Sequence, residues 1–406
     1  MFKIKLHWQI LIALVLAILF GLFFTGYVKY VTWIGDLFLR ALKMIIVPLI
    51  LTSIISGVAN IGGASNLGKL GLKTLTYYLV TSLFAILVGL TMVNLIQPGV
   101  GADLGFQKNV QELGGSGDLG NILLRLVPTN IFDALARADM LAIIFFAILS
   151  GYFITKINDE YKNPLINLVN AGFEVMMKLT SFIIKFTPIG IFGIVAGVVA
   201  EQAGDRAALL GIVQRLGLYM STVLLGLIFH AFITLPLILR FYGKVNPWLH
   251  FKAMTTPLLT AFSTSSSSAT LPLTLEAVED EVGVSNKITS FVLPLGATVN
   301  MDGTALYEFV AAIFIAQAYG IHLGFVQQFV VVFTALLASI GAAGIPMAGL
   351  VMITVVLSSV GLPLEGVGLI LAVDRILDMC RTTVNVWSDS CGAAVIAKSE
   401  GETLKV

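Results

Sequence analysis

Five polar side chains stand where a membrane-crossing helix should hold none. Between Glu365 and Lys398, Asp374, Asp378, Arg381, Asn385 and Asp389 follow one another at intervals of 4, 3, 4 and 4 residues. At about 100° per residue these intervals set them on one narrow helical stripe, with Thr382 at its edge. An ionised side chain at the bilayer centre costs on the order of 2.5 to 3.5 kcal/mol, so this stripe must face a protein interior or a watered cavity. It either glues helices as ion pairs or lines a path for ions and substrate, and intramembrane charges more often mark pathways. The chemistry on offer is recognition: a guanidinium forks onto a carboxylate, while oxygen ligands hold amines and hard cations.

Three more stretches bring polar or bare backbone groups to membrane depth. Asn300 to Thr304 (NMDGT) interrupts an otherwise apolar run from Lys287 to Tyr319. Ser263 to Pro272 (STSSSSATLP) separates the short apolar arms Trp248–Phe262 and one reaching Val278, and Ile340 to Gly349 (IGAAGIPMAG) separates Phe325–Ser339 from an arm ending at Val360. An arm of about 15 residues covers only ~22 Å of a ~30 Å hydrocarbon core, so neither arm of a pair spans alone and a re-entrant helical hairpin is expected at each. Non-helical backbone at that depth is tolerated only where it lines a cavity. Other chemistries lack their parts. His7, His230, His250 and His322 belong to no catalytic spacing and no G-x-S-x-G occurs, which argues against an intramembrane serine hydrolase. No G-x-x-x-x-G-K-[ST] is present to couple ATP.

The elements that must position these residues are membrane helices. Hydrophobic residues make up 57% and charged residues 12% of 406, and mean hydropathy is +0.96, which together specify an all-α polytopic membrane protein. A net charge of +1 gives no reason to expect nucleic acid, and Cys380 and Cys391, both in the last span, do not suggest a structural disulfide. Expected spans run His7–Tyr27, Val31–Val58, Leu75–Ile96, a broken region Asn121–Thr155, Pro164–Ala200 and Leu209–Leu239. Lys3 and Lys5 before the first run resemble a signal-peptide start, but no small-residue cleavage site follows and the run is long enough to span. Lys69, Lys73, Arg240, Lys244 and Lys252 mark cytoplasmic ends, which sets both termini inside. Hairpin plus interrupted helix, then hairpin plus charged helix in opposite orientation, is an inverted repeat, and transporters built that way hold substrate and ions at the midplane.

With these motifs in order, the resemblance is specific. SSSSATLP (Ser265–Pro272), NMDGTALYE (Asn300–Glu308), GAAGIP (Gly341–Pro346) and DxxxDxxRTTxNVxxDS (Asp374–Ser390) resemble the sodium-coupled glutamate/aspartate transporter family. MIIVPLI (Met44–Ile50) and YYLVTS (Tyr77–Ser82) carry the likeness toward the N-terminus, so it covers essentially the whole chain. In build the chain is similar to compact prokaryotic members, and a cell or inner membrane location is expected.

The resemblance implies a glutamate-transporter-like fold of eight transmembrane helices and two re-entrant hairpins, assembled as a homotrimer in the lipid bilayer. It implies a scaffold (residues 1–70 and 98–206) and a mobile transport domain (71–97 and 207–406) that carries an acidic amino acid across by an elevator-like movement. Arg381 would hold the substrate side-chain carboxylate and Asp378 its amino group. Asn385, Thr382 and Thr304 would add hydrogen bonds, while Ser266 and Ser267 at one tip, and backbone around Ile345 and Gly349 at the other, would close over it. Na⁺ would fall to Asp389 with carbonyls of Gly296, Asn300 and Asn385; to Asp302 with Tyr78, Thr81 and Ser82; and to backbone around Thr298, Ser339 and Ile340. A neutral amino acid or dicarboxylate symporter of the same family, or a substrate-gated anion channel, is the competing reading, and accumulation against a gradient separates carrier from channel.

Two departures from the family pattern bear on charge. Many relatives carry a second arginine in the serine-rich tip or just before Arg381, where this chain has Ser265 and Met379. Arg381 is then the only arginine on the stripe, since Arg375 lies about 100° round from Asp374. Glu308 follows NMDGTALY as in proton-coupled animal members, and a buried carboxyl there could carry a proton, H⁺, or stay a neutral hydrogen-bonded acid. Nothing in the residues speaks to K⁺ counter-transport.

Overall fold

In lipid a backbone can satisfy its N–H and C=O groups only within the segment or in a closed barrel, so long apolar runs broken by Gly, Pro and Asn fold as helices with defined interruptions. The computed structural model describes residues 6–62, 68–101, 124, 126–204, 206–341 and 348–406, and every regular element among them is helical. The first part comprises α1 (Leu6–Phe23), α2 (Thr32–Gly62), α3 (Gly68–Ile96), α4 (Ile131–Arg137), α5 (Met140–Ile154), α6 (Asp159–Ile184) and α7 (Thr187–Glu201). Helix α8 (Arg206–Phe229) continues through π-helical turns at His230–Thr234 and Leu239–Gly243. Then follow α9 (Pro247–Ala253), α10 (Thr255–Thr264), α11 (Ser267–Glu276), α12 (Asn286–Val299), α13 (Asp302–Ala318), α14 (Phe325–Gly341), α15 (Ala348–Ser359) and α16 (Val367–Ser399).

Among the described residues four helices, Thr32–Ala59, Lys69–Ile96, Leu210–Gly243 and Asn286–Ala318, are long and apolar enough to cross a membrane. Large apolar side chains stand exposed along α1 and α3, among them Leu19, Phe23, Val80 and Phe84, as a lipid-facing surface requires. The expected uninterrupted fifth span is in fact two helices: α6 and α7 meet at a bend of 53°. Pro188 in the first turn of α7 supplies the reason, because it has no N–H to continue the ladder of α6 and suits a helix start instead. The first span is likewise shorter than expected, α1 giving way at Phe23 to a 3₁₀ turn over Thr25–Tyr30.

Helix α13 is the centre of the molecule. Every residue from Asp302 to Ala316 is buried, and α3, α8, α14, α15 and α16 all pack on it. The interruption before it is two residues, Asn300 and Met301, which end α12 and leave the N-terminus of α13 facing α16. The paired short helices arise where the sequence predicts them. Ser265 adopts φ 53°, turning α10 into α11, and the Ser266 hydroxyl caps α11 by accepting from the Ala269 amide at 3.1 Å. Helices α14 and α15 also lie against each other, while most of their expected tip, residues 342–347, falls outside the described residues.

Polar contacts tie the C-terminal tail to neighbouring helix ends. Lys73 Nζ at the start of α3 donates to Glu400 at 2.5 Å, and this hydrogen bond and charge hold the Glu400 carboxyl below the usual carboxylate range. Lys405 donates through its amide to the Val282 carbonyl at 2.9 Å and through Nζ to that of Asp280 at 2.6 Å. The start of α3, the end of α16 and the base of the α10–α11 pair therefore share one side of the molecule.

Candidate functional site

Asp302 opens α13, where the unpaired amides of a helix N-terminus favour a negative charge. Its Oδ1 accepts from Ser82 at 2.6 Å and Thr81 at 3.3 Å, both on α3, and its Oδ2 accepts from Ser388 of α16 at 2.6 Å. The neighbouring Asn300 donates through Nδ2 to Asp389 Oδ1 at 2.9 Å and to Ser388 at 3.0 Å, and its Oδ1 lies 3.5 Å from the Thr81 hydroxyl. Gly296 sits against Asp389 and the Tyr78 hydroxyl, which donates to the Val292 carbonyl at 2.6 Å. Thr81, Asn300 and Asp302 are completely buried, and Ser82 and Asp389 nearly so. Two carboxylates, an amide and three hydroxyls thus converge on one helix break, a donor set of hard oxygens suited to a small hard cation.

About two turns along α16 from Ser388 and Asp389, Arg381 is 1% exposed. Its Nη2 donates to Asp378 Oδ1 at 2.7 Å and lies 3.3 Å from Asp374 Oδ1, and its guanidinium stacks over the Tyr307 ring at 3.7 Å. Tyr307 in turn donates its hydroxyl to Asp374 Oδ1 at 2.5 Å. Nε and Nη1 of Arg381 are buried with no partner among the described residues. A guanidinium has five donors and a buried one left unmet costs about 1 to 3 kcal/mol, so this fork is built to receive an acceptor. Close approach to it depends on two glycines. A Cβ at Gly349 would lie 2.6 Å from Nη1 and displace the guanidinium, and one at Gly303 would lie 2.7 Å from the Arg381 carbonyl oxygen and push α13 from α16.

Asn385 joins the two halves. Its Oδ1 accepts from the Gly303 amide at 2.8 Å, and its Nδ2 approaches Thr304 Oγ1 and Met301 Sδ, each at 3.2 Å. Thr304 and Thr382 are buried beside it, and Ser266 and Ser267 are buried at the head of α11, which packs on α16. Glu308, one turn beyond Thr304, is fully buried and neither of its oxygens has a hydrogen-bond partner among the described residues, so the satisfied neutral acid is not what the structure displays.

Other expected residues are not drawn into the cluster. Thr298 is exposed and donates to the Leu295 carbonyl at 3.0 Å, and Ser339 is buried but donates to Leu336 of its own helix at 2.8 Å. Ile340 belongs to the last turn of α14, and Ile345 lies outside the described residues.

Sequence reasoning missed four participants. Ser388 adjoins Asp389 in a motif already singled out, and Tyr307 adjoins Glu308. His230, set aside for lack of catalytic spacing, is fully buried with Nε2 3.2 Å from Asp302 Oδ2, and a lone histidine in an apolar span was the available signal. Arg375 is off the stripe, yet its long side chain brings Nη1 to 3.5 Å from Asp378 Oδ2. An angular argument places Cβ atoms, and a flexible three-carbon stem reaches round the helix to its i+3 neighbour.

Comparison with known proteins gives a family and relatives. The sequence profile of the Sodium:dicarboxylate symporter family matches residues 6–399. The chain is 36% identical to the "Proton/glutamate-aspartate symporter" of Escherichia coli (strain K12), covering 98% of this chain and 93% of that protein. It is 37% identical to the "Proton/sodium-glutamate symport protein" of Geobacillus stearothermophilus, covering 98% and 96%. It is also 36% identical to the human "Excitatory amino acid transporter 3", covering 93% and 80%.

Proposed function

We propose, from the premise that this chain belongs to the sodium:dicarboxylate symporter family, that it is a secondary transporter coupling the entry of an acidic amino acid to that of Na⁺. It is not an enzyme: its residues bind and release without making bonds. The observation that carries the reading is the buried Arg381 fork with two unmet donor nitrogens, about two helical turns along α16 from a buried oxygen cluster around Asp302. In this reading Arg381 takes the substrate side-chain carboxylate and Asp378 the ammonium group. Asn385, Thr382, Thr304, the head of α11 and the backbone around Gly349 complete the enclosure. Na⁺ is held by Asp302, Ser82, Thr81 and Asn300, with Asp389 and Tyr78 beside them.

Coupling follows from Asn385. Fixing the 300–304 backbone around a cation sets the Gly303 amide that Asn385 accepts from, and Asn385 stands four residues from Arg381 on one side and four from Asp389 on the other. Ligands sharing one polar lattice raise each other's affinity reciprocally. Glu308 is the proposed proton carrier, so that H⁺ enters with Na⁺. Helices α10–α11 and α14–α15 act as two re-entrant hairpins facing from opposite sides, within eight transmembrane helices. Residues 71–97 and 207–406 move as a transport domain against a scaffold of 1–70 and 98–206. Homotrimeric assembly in a cell membrane, with both termini cytoplasmic, completes the proposal.

Uptake of labelled aspartate, glutamate, alanine and serine into proteoliposomes, with Na⁺, H⁺ and K⁺ gradients imposed singly, tests it. Accumulation of aspartate or glutamate above the external concentration, driven by Na⁺, is expected. Equilibration without accumulation would mean a channel, and accumulation of only the neutral pair would mean a different substrate class.

A further inference from the structure

The geometry points to Arg375 as the second cation of the substrate site, an inference that rests on the acidic-substrate reading above. Ser265 and Met379 carry no charge, so Arg381 alone against Asp374 and Asp378 would leave one negative charge unbalanced. Arg375 makes up the difference from a third position. Its Nη1 lies 3.5 Å from Asp378 Oδ2, while Arg381 Nη2 holds Oδ1 of the same carboxylate at 2.7 Å. Asp378 is thus gripped at both oxygens, and two guanidinium groups stand against the two carboxylates Asp374 and Asp378. The Arg375 side chain is only 20% exposed, and its Nε is buried with no acceptor among the described residues.

This arrangement gives Arg375 two tasks. When the substrate carboxylate claims Arg381, Oδ1 of Asp378 is released to the substrate ammonium, while Arg375 keeps Oδ2 and so fixes the direction in which Oδ1 points. Its charge also cancels what would otherwise be one net negative charge in the empty site, a charge that would repel an incoming dicarboxylic amino acid. Arg375 is therefore a positioning and specificity residue, distinct from the Arg381 fork that touches the substrate.

The test is aspartate binding at saturating Na⁺ to purified Arg375→Met and Arg375→Lys protein. Na⁺ binding without amino acid is read in parallel from the Na⁺-dependent rise in Tm. Arg375→Met is expected to weaken aspartate binding about tenfold or more, since an unbalanced charge acts at close range in a poorly solvated site. Na⁺ binding should stay within about twofold of the parent, and Arg375→Lys should recover most of the aspartate affinity. Aspartate affinity within about twofold of the parent, an equal loss of Na⁺ and aspartate binding, or no rescue by lysine would each overturn the inference. Should Arg375→Met fail to fold, Arg375→Gln, which keeps a donor but not the charge, carries the same test. Arg381→Cys measured alongside separates the two levels. If it also leaves aspartate binding intact, the substrate site itself is misplaced; if it abolishes binding while Arg375→Met does not, only the role of Arg375 fails.

Discussion

Replacing Arg381 by cysteine should convert the specificity of the site without dismantling it. Arg381 lies 1% exposed between Asp374 and Asp378 and against Tyr307, so its removal takes the only described cation that faces Asp374. A substrate carboxylate enclosed there without its partner would lose about 3 to 5 kcal/mol, which is about two to four decades of affinity. The same substitution takes one cation from two carboxylates, and that cost falls on the fold. It is cushioned, because Asp374 keeps the Tyr307 hydroxyl at 2.5 Å and Asp378 keeps Arg375 at 3.5 Å. The substrate therefore loses more than the protein does. Asp378 remains to hold an ammonium group, and the vacated volume suits a small neutral side chain. The proposed Na⁺ ligands Asp302 and Asp389 are untouched. Calorimetric titration of the purified variant at saturating Na⁺ should find no measurable aspartate or glutamate binding, while alanine, serine or cysteine binds with a persistent Na⁺ requirement. Aspartate affinity within about tenfold of the parent would refute the reasoning, since something other than Arg381 would then hold the side-chain carboxylate.

Asp302→Asn and Asp389→Asn should each weaken Na⁺ dependence and substrate affinity together, and full sodium dependence retained in Asp389→Asn would remove that carboxylate from the ion site. Glu308→Gln should leave exchange of internal for external substrate largely intact while abolishing the effect of a pH gradient on net uptake; unchanged pH-driven uptake would make Glu308 a permanently neutral acid. Gly303→Ala places a methyl group 2.7 Å from the Arg381 carbonyl oxygen and must displace α13 from α16. Because the Gly303 amide also anchors Asn385, both Na⁺ and aspartate affinity should fall by about tenfold or more, and affinities within about twofold of the parent would show that α13 yields freely.

The helices and their breaks were legible because each interruption has a local chemical cause. Asn300 and Met301 divide α12 from α13 where NMDGT predicted it, and Ser265 turns α10 into α11 inside the serine run. The bend between α6 and α7 was missed although Pro188 was in view, because a proline in an apolar run reads equally as a kink and as a new first turn until packing decides. The polar stripe of α16 was legible for a different reason: burying charge in lipid is so unfavourable that spacing alone fixes which way the face must point. What spacing could not supply was the reach of side chains and the partners brought in from distant helices. Ser82 and Ser388 meet on Asp302 from α3 and α16, 220 and 86 residues away along the chain. No periodicity encodes that encounter.

Arg375 shows the limit most sharply, for its Cβ lies where the helical wheel put it and its guanidinium does not. A wheel assigns each residue one direction, which is adequate for Asp, Asn and Thr, whose polar atoms lie close to Cβ. Arginine carries its charge several bonds further, and its side chain, 20% exposed, turns round the helix to bring Nη1 within 3.5 Å of Asp378 Oδ2. The charge deficit inferred from Ser265 and Met379 was therefore a deficit of position, and the side chain that fills it is long enough to cross that distance along its own helix.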